Sequence, residues 1–185
     1  MTGTRERSAA VLNHVNAPAR PAGIAEERVK SAGLGQIAVS NEPDDILVAY
    51  GLGSCVAVVG YDPAARVGGL LHALLPFHRD GDANMAKFVD TGIPLLVRQM
   101  EKLGADRCRT VWYVVGGAEM LHMTGLSPDF NIGARNSEAA RTVMAREGLP
   151  VKRTDVGGTA GRTVKLNLRN GTVTVRVLGQ GEKAL

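Results

Sequence analysis

Residues 51–76 have the sequence GLGSCVAVVGYDPAARVGGLLHALLP, a pattern typical of two β-strands joined by a short turn. The segment DPAA at 62–65 separates two apolar runs and contains residue types that favour a tight turn. With that segment as the loop, Cys55 lies directly opposite His72 in an antiparallel pair. Opposed Cβ atoms are about 4.5–5.5 Å apart, so a thiol and an imidazole can touch there.

The pairing register decides whether these two side chains meet. The predicted register places Tyr61 opposite Arg66, and a loop one residue longer or shorter would turn the imidazole to the other face of the ribbon. A cysteine is also common as a small buried hydrophobe, and a histidine within an apolar strand is commonly a core residue. The sequence of this pair is therefore compatible with a structural role in the core as well as with a catalytic role.

The small residues before the cysteine favour a catalytic role over a packing role. Gly51, Gly53 and Ser54 add little to a core, but they let the chain turn sharply and bring backbone N–H groups close to an incoming carbonyl oxygen. A thiol that is open to approach suits nucleophilic attack. Cys55 and His72 are therefore the candidate catalytic residues, with Gly53 and Ser54 as candidate oxyanion-binding residues.

The composition is that of a soluble globular protein with one domain. The chain has 185 residues, of which 44% are hydrophobic, and no apolar run approaches the roughly 18 residues that a membrane span requires. The N-terminus lacks the apolar block of a secretory signal, so a cytoplasmic location is expected. Cys55 and Cys108 are then expected to be free thiols, and two cysteines argue against a zinc ribbon. We predict neither a metal nor a cofactor.

The charge of the chain does not indicate a nucleic-acid partner. The net charge is +4, and part of it lies in the first 33 residues, so the remainder of the chain is only mildly basic. Aromatic residues make up 4% of the sequence, and no basic stripe is interleaved with them. Stacking platforms and phosphate-binding surfaces need both features, so nucleic-acid binding is not expected.

The N-terminal part of the chain differs from the rest. Residues 1–33 are polar, rich in alanine and arginine, and interrupted by Pro18 and Pro21, which predicts a flexible N-terminal extension. The folded domain is predicted to cover 34–185. Beyond the ribbon at 51–76, its strand candidates are 36–40, 46–50, 110–115 and 151–154. Residues 163–178 alternate apolar and polar on both sides of Asn170-Gly171, which is a strong hairpin signature.

Two helices are predicted in the middle of the chain. Asn84 is a candidate cap for the first, and Pro94 is expected to kink that helix or to mark its start. Asn131 precedes the second helix, and Gly148 follows its end. The predicted inner face of the first helix is apolar: Phe88, Leu96, Met100 and Leu103. Strands at both ends with helices between them predict a layered α/β domain, with mostly antiparallel or mixed, sandwich-like sheets flanked by helices.

Other chemically capable residues have simpler interpretations. His78 lies in a polar loop at 76–84 and is predicted to be solvated, while His122 has apolar neighbours and is predicted to pack. Cys108 lacks a histidine at matching spacing and is predicted to be structural. The segment DVGG at 155–158 is either a tight connection or a binding loop.

Several motifs together resemble the chemoreceptor glutamine deamidase family, CheD. They are GLGSCVAVVGYD and GGLLHALLP in the ribbon, KFVDTGIPLLVRQMEKLGA after it, then GGAEM at 116–120, NIGARN at 131–136 and DVGGTAGR at 155–162. They occur in the family's order and cover about residues 35–177. Such an ordered set is far more specific than a lone glycine-rich loop.

The resemblance implies a hydrolase that converts glutamine side chains of methyl-accepting chemotaxis receptors to glutamate through a thioester on Cys55, with His72 as the base. It also implies a CheC-type phosphatase as a partner. Family members commonly carry a threonine shortly before the cysteine that supports the histidine, whereas Ala49 and Tyr50 stand here. Either Tyr50, Ser54 or a backbone carbonyl orients the imidazole, or activity is weakened. The alternative is a non-catalytic adaptor that binds receptors or the phosphatase.

Overall fold

The computed structural model describes residues 27–120 and 131–185. Within these residues the helices are α1 Val89–Lys102 and α2 Ile132–Arg146, and a 3₁₀ turn spans Met85–Lys87. The strands are β1 Arg28–Ser31, β2 Gln36–Ser40, β3 Asp45–Leu52, β4 Val56–Asp62, β5 Val67–Ala73, β6 Val111–Gly116, β7 Val151–Val156, β8 Arg162–Asn167, β9 Thr172–Val177 and β10 Glu182–Ala184. Neither helix is long and apolar enough to cross a membrane.

The described strands form two five-stranded sheets. The outer sheet has the order β1-β3-β8-β9-β10 and the middle sheet has the order β2-β5-β4-β6-β7. Both are mixed, because β1 pairs with β3 and β6 with β7 in parallel, while the other pairs are antiparallel. The predicted layered α/β architecture with mixed sheets and flanking helices is therefore confirmed.

Two apolar cores separate three layers. The first core lies between the helices and the middle sheet and includes Ile93 and Leu96 of α1, Val143 of α2, and Leu71 of β5. The second core lies between the two sheets, with Leu47 among its fully buried members. β4 and β5 are buried along their whole length because each has one face in each core. This double burial explains why their sequence is a continuous apolar run.

The C-terminal hairpin and α2 agree with the sequence predictions. β8 pairs with β9 from Arg162–Val177 to Asn167–Thr172, and the loop contains Gly171 at a φ of 69°. Asn131 caps α2, since its side chain accepts a hydrogen bond from the backbone N–H of Ala134. Local turn and cap chemistry was sufficient to predict both elements.

The predicted boundary between extension and domain, after residue 33, is wrong. β1 lies within residues 1–33, pairs with β3, and is followed by the buried Ala32. Arg28 and Lys30 of this strand form ion pairs with Asp45, whose side chain is fully buried. A short polar strand at a sheet edge has no periodicity for sequence inspection to detect, so its pairing decides its structure. The flexibility predicted for residues 1–26 lies outside the described residues.

The register predicted for the ribbon is also wrong, by two residues. Asp62 pairs with Val67 and Ala57 pairs with His72, so the four-residue loop is 63–66. Asp62 remains in the strand because its buried carboxylate accepts a hydrogen bond from the N–H of Asp106. A shift of two residues preserves the face on which each side chain lies. His72 therefore faces the same layer as it would in the predicted register.

The first helix begins later than the cap at Asn84 predicts. Asn84 caps the 3₁₀ turn, Phe88 is extended, and α1 then begins at Val89. Pro94 lies inside the helix, and Leu103 is 36% exposed rather than buried. The predicted inner face is confirmed at Leu96 and Met100, which are buried, while Phe88 is buried but lies just before the helix.

Candidate active site

Cys55 lies between the end of β3 and the start of β4, in a loop whose backbone is hydrogen-bonded on both sides. The carbonyl oxygen of Gly53 accepts from the N–H of Ala118 at 2.8 Å, and that of Cys55 accepts from the N–H of Gly117 at 2.7 Å. Cys55 is half-buried and packs against the core between the sheets. The segment after β6 therefore supports the loop that carries the thiol.

Glycine is required at the end of β6 for this support. Gly116 has a φ of 115°, and a Cβ at that position would overlap the carbonyl oxygen of Cys55. Gly117 has a φ of 62°, and a Cβ there would overlap the hydroxyl of Ser137 on α2. L-residues rarely adopt these φ values, so the Gly-Gly pair allows both the turn and the close approach. The sequence motif GGAEM contained this pair, but its contact with Cys55 was not predicted.

Asn136 connects the two arms of the ribbon. Its side-chain Nδ2 donates to the carbonyl oxygen of Ser54 at 2.8 Å and to that of Leu74 at 2.8 Å. The side chain is buried, on α2. Sequence inspection assigned no role to this residue, although it ends the motif NIGARN. The signal available was an asparagine in the second turn of a helix otherwise buried through alanine, valine and methionine.

His72 faces the core between the sheets. It lies opposite Ala57, a member of that core, and is 2% exposed. Its Nδ1 is 3.2 Å from the carbonyl oxygen of Ala32, and its Nε2 has no hydrogen-bond partner among the described residues. A carbonyl only accepts, so Nδ1 carries the proton and Nε2 keeps a lone pair. This is the tautomer that a general base requires at Nε2.

Cys55 and His72 lie on the same face of the β4–β5 ribbon. Cys55 is two residues before Ala57, the residue opposite His72, and it packs against the same core. Diagonal neighbours of this kind have Cα atoms about 7–8 Å apart, with their Cβ atoms somewhat closer. The two side chains point into one layer, as the sequence predicted, although they are not directly opposed.

Burial shifts both groups toward their neutral forms. It raises the pKa of the Cys55 thiol above its ordinary value of 9.0, and the backbone N–H of Cys55 only partly offsets this effect. It also lowers the pKa of the His72 imidazole below 6.5, with the Ala32 carbonyl opposing the shift. The free protein therefore favours a neutral thiol and a neutral imidazole. A resting pair of thiolate and imidazolium is not favoured by this environment.

A backbone carbonyl orients the imidazole. Of the three groups considered from the sequence, Tyr50 is 56% exposed, and the side chain of Ser54 makes no hydrogen bond among the described residues. The carbonyl of Ala32 provides the bond instead. Ala49 is fully buried in the core between the sheets. Orientation by a main-chain oxygen does not depend on a hydroxyl side chain before the cysteine.

Three further residues were considered from the sequence: His78, Cys108 and His122. His78 is half-buried rather than solvated, with its Nε2 2.9 Å from the carbonyl oxygen of Asp82 and its ring edge-on to Phe88. Cys108 is exposed. The interpretation of His122 lies outside the described residues. Within those residues, no group of three or more His, Cys, Asp or Glu side chains could hold a metal ion.

The segment 155–158 forms a tight connection beside the site. Gly157 donates to the carbonyl oxygen of Gly116 at 3.0 Å, and the N–H of Glu119 donates to that of Gly158 at 2.8 Å. Asp155 pairs with Arg162 at 2.8 Å where both side chains are nearly buried. The segment 155–158 therefore holds the chain just after β6 in place, and that part of the chain in turn supports the loop that carries Cys55. That the segment 155–158 binds a ligand stays a prediction.

A cleft with a volume of about 780 Å³ lies elsewhere, between α2 and β7, and neither Cys55 nor His72 lines it. The thiol of Cys55 is half-exposed at one end of the two packed sheets. Such a thiol is more accessible to a side chain that protrudes from another protein than to a small molecule that binds inside a pocket. The chemistry, rather than the cavity volume, identifies the candidate site.

The sequence is similar to known proteins over most of its length. The family model described as CheD chemotactic sensory transduction matches residues 74–177. The probable chemoreceptor glutamine deamidase CheD of Symbiobacterium thermophilum is 41% identical over 165 residues, covering 88% of this chain and 100% of that protein. The protein of the same name from Thermococcus kodakarensis is 41% identical over 153 residues, covering 81% of this chain and 93% of that protein.

Among solved structures, the hypothetical protein YfiH of Bacillus licheniformis is similar at 14% identity, with a TM-score of 0.43. The similarity covers 72% of this chain and 60% of that one. The sequence relatives are far more similar than this. Because a family model matches more than half of the chain, and relatives 41% identical cover over four fifths of it, the chain belongs to the CheD family.

Proposed function

We propose that this protein deamidates glutamine side chains of methyl-accepting chemotaxis receptors, with Cys55 as the nucleophile and His72 as the base. The observation that carries the proposal is the state of His72, whose Nδ1 lies against a carbonyl and whose buried Nε2 lone pair is unused among the described residues. This imidazole shares a face with the cysteine. The names of the relatives, probable chemoreceptor glutamine deamidase, supply the substrate class.

The first half of the reaction forms a thioester. Nε2 of His72 takes the proton of the Cys55 thiol as the sulfur attacks the side-chain amide carbon of glutamine. The carbonyl π electrons move to oxygen and form a tetrahedral oxyanion. Its collapse breaks the carbon–nitrogen bond, and the imidazolium gives its proton to the departing ammonia. Starting from a neutral pair suits the burial of both groups, since no charge has to be held before substrate binds.

The second half of the reaction regenerates the thiol. Nε2 of His72 takes a proton from water as the water oxygen attacks the thioester carbon. The carbon–sulfur bond breaks, the sulfur recovers the proton from the imidazolium, and glutamate is left on the receptor. One water is consumed and one ammonia is released for each glutamine.

The loop before Cys55 supplies donors for the oxyanion. The carbonyl groups of Gly53 and Ser54 accept hydrogen bonds, which fixes the peptide units that carry the N–H groups of Ser54 and Cys55. Among the described residues, neither of these N–H groups donates to another backbone group. Preorganised N–H donors of this kind stabilise developing negative charge without reorganising during the reaction. The proposed oxyanion donors are therefore the N–H groups of Ser54 and Cys55, and Gly53 is proposed as a supporting residue.

Cys55 and His72 also allow a non-catalytic alternative. Burial raises the pKa of Cys55, and Ala49 has no hydroxyl to assist the histidine, which favours an adaptor that binds receptors or a CheC-type phosphatase without reacting. A CheC-type phosphatase stays a proposed partner under either function. The two functions differ in their product, because only a deamidase converts glutamine to glutamate.

The test is incubation of the purified chain with cytoplasmic fragments of chemotaxis receptors, followed by peptide mass spectrometry. Deamidation adds roughly one mass unit at the modified glutamine and releases ammonia. We expect conversion by the wild type and by Cys108→Ala, and none by Cys55→Ala or His72→Ala with unchanged circular dichroism. Conversion by Cys55→Ala would refute the assigned nucleophile. Receptor binding without conversion by the wild type would support the adaptor.

A further inference from the structure

The Asn136 side chain bridges the segments that carry the two candidate catalytic groups. Its two hydrogen bonds reach Ser54, 82 residues before it, and Leu74, 62 residues before it. Ser54 immediately precedes Cys55, and Leu74 follows His72 by two residues. The bridge therefore links the candidate site to the helix layer.

The bridge lies where the ladder of the ribbon ends. β4 and β5 are paired as far as Val56 and Ala73, and the chain diverges beyond that pair. The Nδ2 group of Asn136 bonds to carbonyls on both arms just past this end. It supplies a connection between the arms that the backbone ladder no longer provides.

The chemistry of the two acceptors fixes the orientation of the amide. Both partners are carbonyl oxygens, so the group between them must be the NH₂ of the side chain, which offers two N–H donors. Oδ1 then faces away and has no partner among the described residues, although it is buried. An unsatisfied buried acceptor is unfavourable for stability.

The bond to Ser54 determines where the N–H of Cys55 points. The Ser54 carbonyl and the Cys55 N–H belong to one peptide unit, and no peptide bond of the described chain is cis. In a planar trans peptide the two groups point in opposite directions. Once the carbonyl points to α2, the N–H points away from α2.

We propose that Asn136 is a positioning residue for the oxyanion-binding N–H of Cys55. The inference rests on the proposed deamidase function and adds a residue that does not touch the substrate. Loss of the Nδ2 donors would let the Ser54–Cys55 peptide rotate, so the tetrahedral oxyanion would lose an aligned donor. The thiol itself and the binding of the receptor would be largely unaffected.

The test compares Asn136→Asp, Asn136→Ala and Asn136→Ser with the wild type on receptor fragments. Aspartate has the same shape, but its ionised oxygens cannot donate to carbonyls, while serine retains one donor. We expect kcat to fall about 10- to 100-fold in the aspartate and alanine variants and less in the serine variant. KM is expected to stay within about threefold of the wild type, because ground-state binding is unchanged.

Alkylation of Cys55 by iodoacetamide separates positioning from general loss of structure. Alkylation forms no oxyanion, so its rate is expected to change far less than kcat in all three variants. The matched control is Asn131→Ala, which removes the cap of α2 and destabilises the same helix without touching Ser54 or Leu74. We expect that control to lower the thermal midpoint while kcat is retained.

Hydrogen exchange in the wild type gives a second measurement that no folding defect can obscure. Both side-chain amide protons of Asn136 are expected to exchange slowly, since both donate in a buried site. Fast exchange of either proton would overturn the inference, as would a wild-type kcat in Asn136→Asp or an equal loss of kcat in Asn131→Ala. A wild type that deamidates no receptor fragment would contradict the proposed function instead.

Discussion

The carbonyl oxygen of Ala32 lies 3.2 Å from Nδ1 of His72, across 40 residues of chain. This contact sets the tautomer of the imidazole and leaves Nε2 with its lone pair. It also makes the residues just after β1 part of the candidate site. β1 therefore matters both for the stability of the outer sheet and for the proposed chemistry.

Removal of residues 1–33 is expected to destabilise the protein and abolish activity. The truncation removes Arg28 and Lys30, which pair with the fully buried Asp45, so that carboxylate loses both of its cationic partners. It also removes Ala32 and with it the hydrogen bond to His72. Removal of residues 1–26 is the control, because it keeps all of these contacts. Urea unfolding and the deamidation assay measure both effects, and equal stability of the two truncations would contradict the prediction.

The pH dependence of activity should reflect a neutral His72. Burial lowers the pKa of this imidazole below 6.5, so the base is deprotonated at neutral pH and the acid limb of kcat/KM is expected below pH 6.5. The contribution of His72 to the stability of the folded state depends on pH in the same direction as activity does. It is fully present above the unfolded pKa of 6.5 and is lost as the pH falls through the lower folded pKa, because protons then favour the unfolded state.

Measurement of kcat/KM between about pH 5 and pH 8, with circular dichroism at each pH, tests this dependence. The folding signal identifies any pH at which loss of structure limits the rate. An acid limb with a midpoint above 6.5 would contradict the lowered pKa of His72.

Alkylation of Cys55 in the free protein should require a higher pH than its ordinary pKa implies. Burial raises the pKa of the thiol above 9.0, so the thiolate fraction at pH 7 is small. We expect the rate of iodoacetamide labelling at the Cys55 peptide to rise with pH through a midpoint above 9.0. Peptide mass spectrometry at a series of pH values provides the rate. A midpoint below that value would contradict the raised pKa of the thiol.

Gly116→Ala is expected to impair the site more than the fold. A Cβ at Gly116 would overlap the carbonyl oxygen of Cys55, so the loop must move, and a misplaced nucleophile costs about tenfold or more in rate. Gly104→Ala is a matched control, because Gly104 also has a positive φ, 96°, but no atom lies within 4 Å of its Cβ position. We expect the control to lose about 1 kcal/mol of unfolding free energy and no activity. Equal activities of the two variants would contradict the prediction.

Much of the fold could be predicted because its signals are local. Apolar runs on both sides of a turn predicted β4 and β5, Asn170-Gly171 predicted the last hairpin, and Asn131 predicted the start of α2. Each signal depends on residues within one turn or one strand, where propensity and capping act. The first helix was less well placed, since the asparagine cap belongs to a 3₁₀ turn that precedes it.

Sequence inspection proposed the two main residues of the candidate site but not the groups that support them. Cys55 and His72 are adjacent in one ribbon, so alternation along the strands was enough to place them on one face. Ala32 and Asn136 reach the site from 40 residues before His72 and 82 residues after Ser54, respectively. A main-chain carbonyl also has no side-chain signature, so no pattern of residue types could have indicated it.

The sequence by itself determined most of the strands and helices, and which face of the ribbon carries the thiol and the imidazole. Period-two alternation and turn chemistry encode these features locally. The tertiary structure alone decided the register of that ribbon, the inclusion of β1 and the orientation of the imidazole. Asp62 stays in its strand because its carboxylate is bound by the N–H of Asp106, 44 residues away. Such contacts depend on how the layers pack, and no local pattern of residues encodes that packing.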